Sequence, residues 1–192
     1  MRHYLYFGAC VLLAACSPAM PEGDNASQAM PASATTSGDA HTSGDAQHLE
    51  TVPLAIYHQD GKPTTRLKVE IALTPEQQEK GLMYRTDLKA GGGMIFPMLP
   101  ARMPSFWMKD TPTSLDMIFI RMDTSIARIA ANAEPGDMTP IFAEDPVAAV
   151  LELRGGDAER LGIQEGDEVV WGACALEAAP DPVAEPDNYC PD

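Results

Sequence analysis

Between residues 66 and 73 the chain alternates without a break, with Leu67, Val69, Ile71 and Leu73 in one set and Arg66, Lys68 and Glu70 in the other. A two-residue period puts these sets on opposite faces of a half-buried strand. The alternation stops at Thr74-Pro75-Glu76-Gln77. A capping threonine, a proline suited to the first helical position and a glutamine able to reach back predict a short helix ending near Met83. Glycines 91 to 93 predict a turn into a strand over Met94 to Met98. Further strands are predicted at Ser105 to Lys109, Asp116 to Met122, Ser125 to Ala131, Val147 to Leu153 and Glu168 to Trp171. A second short helix is predicted over Asp157 to Leu161, capped by Asp157 and ended by Gly162. Many short strands with two short helices predict a mostly β fold, a single sandwich or partly closed barrel.

The first fifty residues follow a different pattern. Arg2 precedes an apolar run from Tyr4 to Ala15, too short for a membrane-spanning helix of roughly 20 residues. A charged start, a short apolar stretch and small residues at its end mark an export signal over residues 1 to 15. Leu13-Ala14-Ala15-Cys16 resembles the lipobox of bacterial lipoproteins. That resemblance implies a signal cut before Cys16, a lipidated Cys16 thiol and a further acyl group on the new amino end. Two or more chains anchor stably where one does so only marginally. Ser17 after the cysteine implies sorting to the periplasmic face of the outer membrane. Residues 16 to 49 then read as a disordered tether, rich in Ala, Ser, Thr, Gly, Asp and Pro, with Thr-Ser-Gly-Asp-Ala at 36 to 40 repeated at 42 to 46. As a flexible coil this length reaches about 30 Å. His41 and His48 in it are expected to be solvated.

Residues 50 to 175 are left as one β-rich domain, followed by an acidic, Pro-rich tail from 176 to 192. A net charge of −15 argues against nucleic acid as a partner, because such binding rests on basic patches. It also argues against the domain itself lying on anionic lipid. Cys10 leaves with the signal and Cys16 carries lipid, so Cys174 and Cys190 are expected to form a disulfide that ties the tail back.

Several segments in order carry a resemblance over about residues 52 to 172. They include Gly81-Leu-Met-Tyr-Arg85, Gly93-Met-Ile-Phe96, Phe106-Trp-Met-Lys-Asp-Thr111, Leu115-Asp-Met-Ile-Phe-Ile120 and Leu161-Gly-Ile-Gln-Glu-Gly-Asp167. Together they resemble the bacterial and archaeal family called domain of unknown function 192. The resemblance implies a β-sandwich and no assigned activity. This chain departs from the family at Lys80, where arginine is usual, and at Asp110, where asparagine is usual.

Candidate chemistry is sparse. His58 is the only histidine after residue 50, which excludes His-rich zinc sites and Ser-His-Asp or Cys-His catalysis. No cofactor signature appears, neither a phosphate-binding loop nor a calcium loop. Strand alternation sets Trp107 and Lys109 apart from Phe106 and Met108; an exposed ring beside an ammonium would suit an envelope glycan, a peptide or a lipid headgroup. Against this stands the expectation that Trp107 is covered by a loop and Lys109 is paired with Asp110 or Asp116. Arg85 is a further ligand-binding candidate. Asp116, expected to meet Arg85 or Lys109, and Glu152 between Leu151 and Leu153 are the carboxylates available for acid–base work. Met98 and Met103 are the thioethers with which a Cu(I) site could be built, provided a third sulfur converges on them. The reading is a membrane-tethered binding or accessory module, its partner an envelope glycan, peptide or protein. The alternatives are an enzyme acting on envelope glycan or peptide through Asp116 and Glu152, and a methionine-based copper protein.

Overall fold

The structure is a computed structural model that describes residues 45–176 and 183–190. The expected signal, the lipidation expected at Cys16 and the expected tether as far as residue 44 lie outside the described residues. Nine strands join in one sheet and two in another. In chain order they are β1 (Thr51–Tyr57), β2 (Thr65–Ile71), β3 (Gly93–Arg102), β4 (Ser105–Phe106), β5 (Leu115–Ile120), β6 (Ile126–Ala133), β7 (Ile141–Phe142), β8 (Val147–Arg154), β9 (Glu168–Trp171), β10 (Val183–Glu185) and β11 (Asn188–Cys190). Two short helices intervene, α1 (Pro75–Lys80) and α2 (Asp157–Leu161).

The large sheet runs β10-β11-β9-β1-β2-β3-β8-β5-β6, and β4 pairs with β7 alone. It curls until its far edge returns to β9. Ser125, just before β6, bridges Glu168, and the Ile126 amide donates to the Asp167 carbonyl at 2.8 Å. The expected mostly β, partly closed barrel is what the chain forms. Inside it pack Leu54, Ile56, Val69, Ile118, Leu151, Leu153 and Trp171. A second cluster, with Met94, Phe96, Met98, Met108, Met117, Phe119 and Val150, covers the outer face of β3, β8 and β5. Those three strands are therefore buried on both sides, which explains their near-continuous apolar runs.

The local signals worked where they were strongest. Thr74 Oγ1 accepts from the Gln77 amide and Gln77 returns to the Thr74 amide, the capping box that starts α1. The helix stops at Lys80, a turn earlier than expected, because Gly81 at φ 48° leaves the helical region. The strand expected over Ser105 to Lys109 pairs only through Phe106. The short strands β1, β7, β10 and β11 were not anticipated.

Cys174 and Cys190 are joined, 16 residues apart. The ring of Tyr189 lies flat on Trp171 at 4.6 Å, and Trp171 Nε1 donates to the Pro186 carbonyl. These contacts make β11 a packed extension of β9. The closed loop contributes about 3 kcal/mol by chain entropy. Urea unfolding of a Cys174→Ser/Cys190→Ser chain is expected to show that loss, and equal midpoints would show that the aromatic contacts alone hold the segment.

Candidate functional site

Alternation along β8 decides the site. Leu151 and Leu153 turn into the barrel, so Glu152 turns outward with Val150. Its cross-strand neighbours on that face are Met94 of β3 and Met117 of β5, both fully buried. The fit is close: a Cβ at Gly93 would collide with the Glu152 carbonyl oxygen, so only glycine lets β3 approach β8 here. The Glu152 side chain has thioethers on both sides and no donor. It is 4% exposed, and burial alone, unopposed by any hydrogen bond or neighbouring charge, pushes its pKa up to about 8. Within the protein a carboxyl in such a place is neutral at pH 7.

Glu152 opens into a cavity of about 530 Å³ between α1, the end of β3 and the segment after it. Phe96 and Phe106 form apolar walls, and Phe106 meets Phe96 edge-on at 5.3 Å and Phe119 at 6.4 Å. Gln78 pins one side of the mouth. Its amide nitrogen donates to the Ala72 and Pro97 carbonyls, and its oxygen accepts from Arg102 Nη2 at 2.8 Å. Arg102 Nε donates to Met98 Sδ at 3.0 Å. Lys80, at the end of α1, also lines the cavity.

Trp107 stands at the rim. The buried Met108 and its amide, bonded to the Asp137 carbonyl, anchor the segment, so Trp107 faces outward and is 48% exposed. The expected covering loop is absent among the described residues. Lys109 pairs with no acid there; its Nζ lies 5.8 Å from the Trp107 ring centre. That distance is within the range of a cation–π contact.

Other candidates fall elsewhere. Arg85 is buried in an ion pair with Glu70 at 2.8 Å and Asp87 at 2.7 Å, and also donates to the Gln47 carbonyl. It ties the start of the domain down and does not line the cavity. Asp116 meets neither Arg85 nor Lys109. Its register partner is Leu153, so it faces the side opposite Glu152. There its carboxylate accepts from the amides of Asn132, Gly156 and Ala158 at 2.7, 3.2 and 2.8 Å. The acid–base pair with Glu152 is therefore not formed. Asp116 also does the capping expected of Asp157: α2 begins at Gly156 with no side-chain cap of its own, and Asp157 bonds Gly91 and Arg160 instead.

Met98 and Met103 share the cavity with Met83, but a guanidinium already occupies the Met98 sulfur and Met103 is 60% exposed. A cation seated on the sulfur opposes binding of a second cation there. Among the described residues no group of three His, Cys, Asp or Glu could hold a metal. His58 is held between Asp167 and Thr65, both at 2.8 Å, a structural arrangement. Asp110 sits at φ 51° and accepts from the Tyr84 hydroxyl at 2.9 Å. Asp and Asn both tolerate that backbone region, which gives the departure from asparagine a local reason. Gln78 and Arg102 were not expected at the site, and Lys80 stood out only as a departure from the family; strand pairing and the register shift between Pro97 and Arg102 bring them to the cavity.

Comparison with known proteins bears on this geometry. The family described as DUF192, an uncharacterized ACR, matches residues 55–171. A solved protein of unknown function from Novosphingobium aromaticivorans DSM 12444 is similar at 45% identity and a TM-score of 0.60, covering 63% of this chain and 85% of that one. Another, from Sinorhizobium meliloti 1021 and described as a "putative transcription regulator", is similar at 38% identity and a TM-score of 0.62, covering 67% of this chain and 97% of that one. No curated protein matches.

Proposed function

The chain belongs to the DUF192 family, and on that premise we propose that its β domain is a small-ligand binding module of the cell envelope, with the Glu152 cavity as its binding site. One observation carries the reading. A largely buried carboxyl with no protein donor lines a cavity of about 530 Å³ of mixed polar and apolar lining, where a ligand that displaces water has to donate to it. Trp107 on the rim adds a flat apolar surface where a ligand would enter. The sequence supports the setting. The lipobox at Leu13 to Cys16 would hold the chain by acyl groups on Cys16, and Ser17 favours the periplasmic face of the outer membrane. Any partner there would be an envelope glycan, peptide or protein. A net charge of −15 speaks against nucleic acid as a partner.

The reading is tested by thermal unfolding of the full chain in detergent against amino acids, short peptides, murein fragments, acidic sugars and lipid headgroups. A ligand at about 100 times its Kd adds roughly 2.7 kcal/mol, a shift of about 5 to 10 °C for a chain of this size. The shift is expected to vanish in Trp107→Ala, whose own unfolding temperature should barely move because the ring is half exposed. No shift with any compound, or a shift indifferent to Trp107 and Glu152 substitutions, would overturn it. In the same cells Cys16→Ser is expected to move the protein out of the membrane fraction.

A further inference from the structure

We infer that the cavity takes an apolar amino acid or dipeptide as its zwitterion, the ammonium seated on Glu152, the carboxylate at Lys80 and Arg102, and the side chain against Phe96 and Phe106. This rests on the cavity being the binding site and names its ligand class. Three features lead to it.

The first is the unmet acceptor. Glu152 is flanked by Met94 and Met117, which offer no donor, and no described residue donates to it. In the empty cavity only water reaches it, so a ligand that displaces the water must bring its own donor. An ammonium supplies charge as well as hydrogen bonds, and a charged hydrogen bond is about twice as strong as a neutral one.

The second is the pair of cations at the mouth. Arg85, Arg121, Arg128, Arg160 and Lys62 each lie within 4.0 Å of a carboxylate. Lys80 and Arg102 have no such partner among the described residues, nor do Arg66, Lys68, Lys89, Lys109 and Arg154, but of these seven cations only Lys80 and Arg102 line the cavity. Gln78 and Met98 hold Arg102 by Nη2 and Nε, which leaves Nη1 for an incoming anion. Two acids, Glu152 and Glu79, and two cations thus line one cavity, and they complement the ammonium and the carboxylate of a zwitterion.

The third is the apolar part of the lining, Leu82, Met83, Phe96, Met98 and Phe106, which suits an apolar side chain. A bare metal ion finds no group of three His, Cys, Asp or Glu here among the described residues, and the Met98 sulfur already takes the Arg102 guanidinium.

Binding an ammonium requires the Glu152 carboxylate, whereas the empty cavity holds the carboxyl protonated up to about pH 8. The charged groups that line the same cavity are Glu79 and Lys80 from α1 and Arg102 from β3, and none of them shifts Glu152 in the empty cavity; Lys109 lies above the Trp107 ring and β5 presents only Met117. A free amino acid keeps its ammonium through this range. Affinity for L-leucine and L-phenylalanine should therefore rise with pH, about 50-fold between pH 6 and 8, and that for L-leucyl-L-leucine, whose terminal ammonium is about half lost at pH 8, about half as much.

Of the two tryptophans only Trp107 reaches solvent, since Trp171 is fully buried, so fluorescence of the full chain in detergent reports on the mouth. Titrations would use L-leucine, L-phenylalanine and L-leucyl-L-leucine, beside N-acetyl-L-leucine and isopentylamine. The expected order places the zwitterions first, with isopentylamine at least tenfold weaker and N-acetyl-L-leucine not binding. Glu152→Gln should abolish the rise with pH and weaken the zwitterions tenfold or more. A Lys80→Ala/Arg102→Ala chain should bring L-leucine down to the level of isopentylamine and leave isopentylamine unchanged. If N-acetyl-L-leucine, a sugar or a lipid headgroup binds instead, or if affinity falls from pH 6 to 8, the ligand class is wrong and the binding site stands. If nothing in either panel binds at millimolar concentration, both readings fall.

Discussion

Raising the pH from 5 to 9 is expected to destabilise this protein, and Glu152→Gln is expected to remove most of the loss. Burial raises the Glu152 pKa from its ordinary 4.5 to about 8. Between those values the folded chain holds a proton that the unfolded chain releases, so stability falls as pH rises. The contribution of the protonated carboxyl is fully present below about pH 4.5 and is lost by the time pH has passed through 8. Taken over the whole interval the loss has a ceiling of about 5 kcal/mol, and water entering the cavity lowers it. Other shifted carboxyls do not confuse the measurement. Asp60, Asp87, Asp123, Asp137 and Glu76 are held below their ordinary values by hydrogen bonds, so their contributions are gained as pH rises through the acid range and are complete by about pH 5. Urea unfolding at pH 5, 7 and 9 measures the effect. The parent should lose several kcal/mol over that span and the Glu152→Gln chain little, the two converging near pH 5. Parallel lines for the two proteins would show that the Glu152 carboxyl reaches water freely.

Loss of Asp116 should be as severe and independent of any ligand. Its carboxylate is fully buried and receives three backbone amides, joining β5 to β6 and to the start of α2. Asp116→Ala leaves those amides without an acceptor in a space closed to water, a cost of about 1–3 kcal/mol for each donor left unmet, partly relieved by relaxation. A net loss of about 3–5 kcal/mol is expected, seen as a lower urea midpoint and as faster amide exchange at Gly156 and Ala158. Asp116→Asn keeps one acceptor oxygen and should lose about half as much. A change under 1 kcal/mol in the alanine variant would mean that water replaces the carboxylate. With a catalytic role, activity would fall and stability would hold; the geometry points to the opposite.

The two acids show where sequence stops being informative. Both lie on apolar strands, and alternation alone told that Glu152 faces away from Leu151 and Leu153. Nothing local told that Asp116 faces the helix start forty residues on, because the Gly156 and Ala158 amides reach it only through the β5–β8 pairing. The same holds for Trp107. Its alternation with Met108 was legible, but its exposure depended on whether another segment folded over it, and none of the described ones does.

Sequence by itself determined the β-rich class, the capping box of α1, both helices to within a turn, the pairing of Cys174 with Cys190 and the family. Each rests on interactions between residues near in the chain, or on patterns a few residues long. Tertiary structure alone decided the closure of the sheet through Ser125 and Glu168, and the burial of β3, β8 and β5 on both faces. It alone brought Lys80, Arg102, Trp107 and Glu152 around one cavity. Those residues come from four separate segments, and which of them meet is set by strand order and register, to which a local pattern is blind.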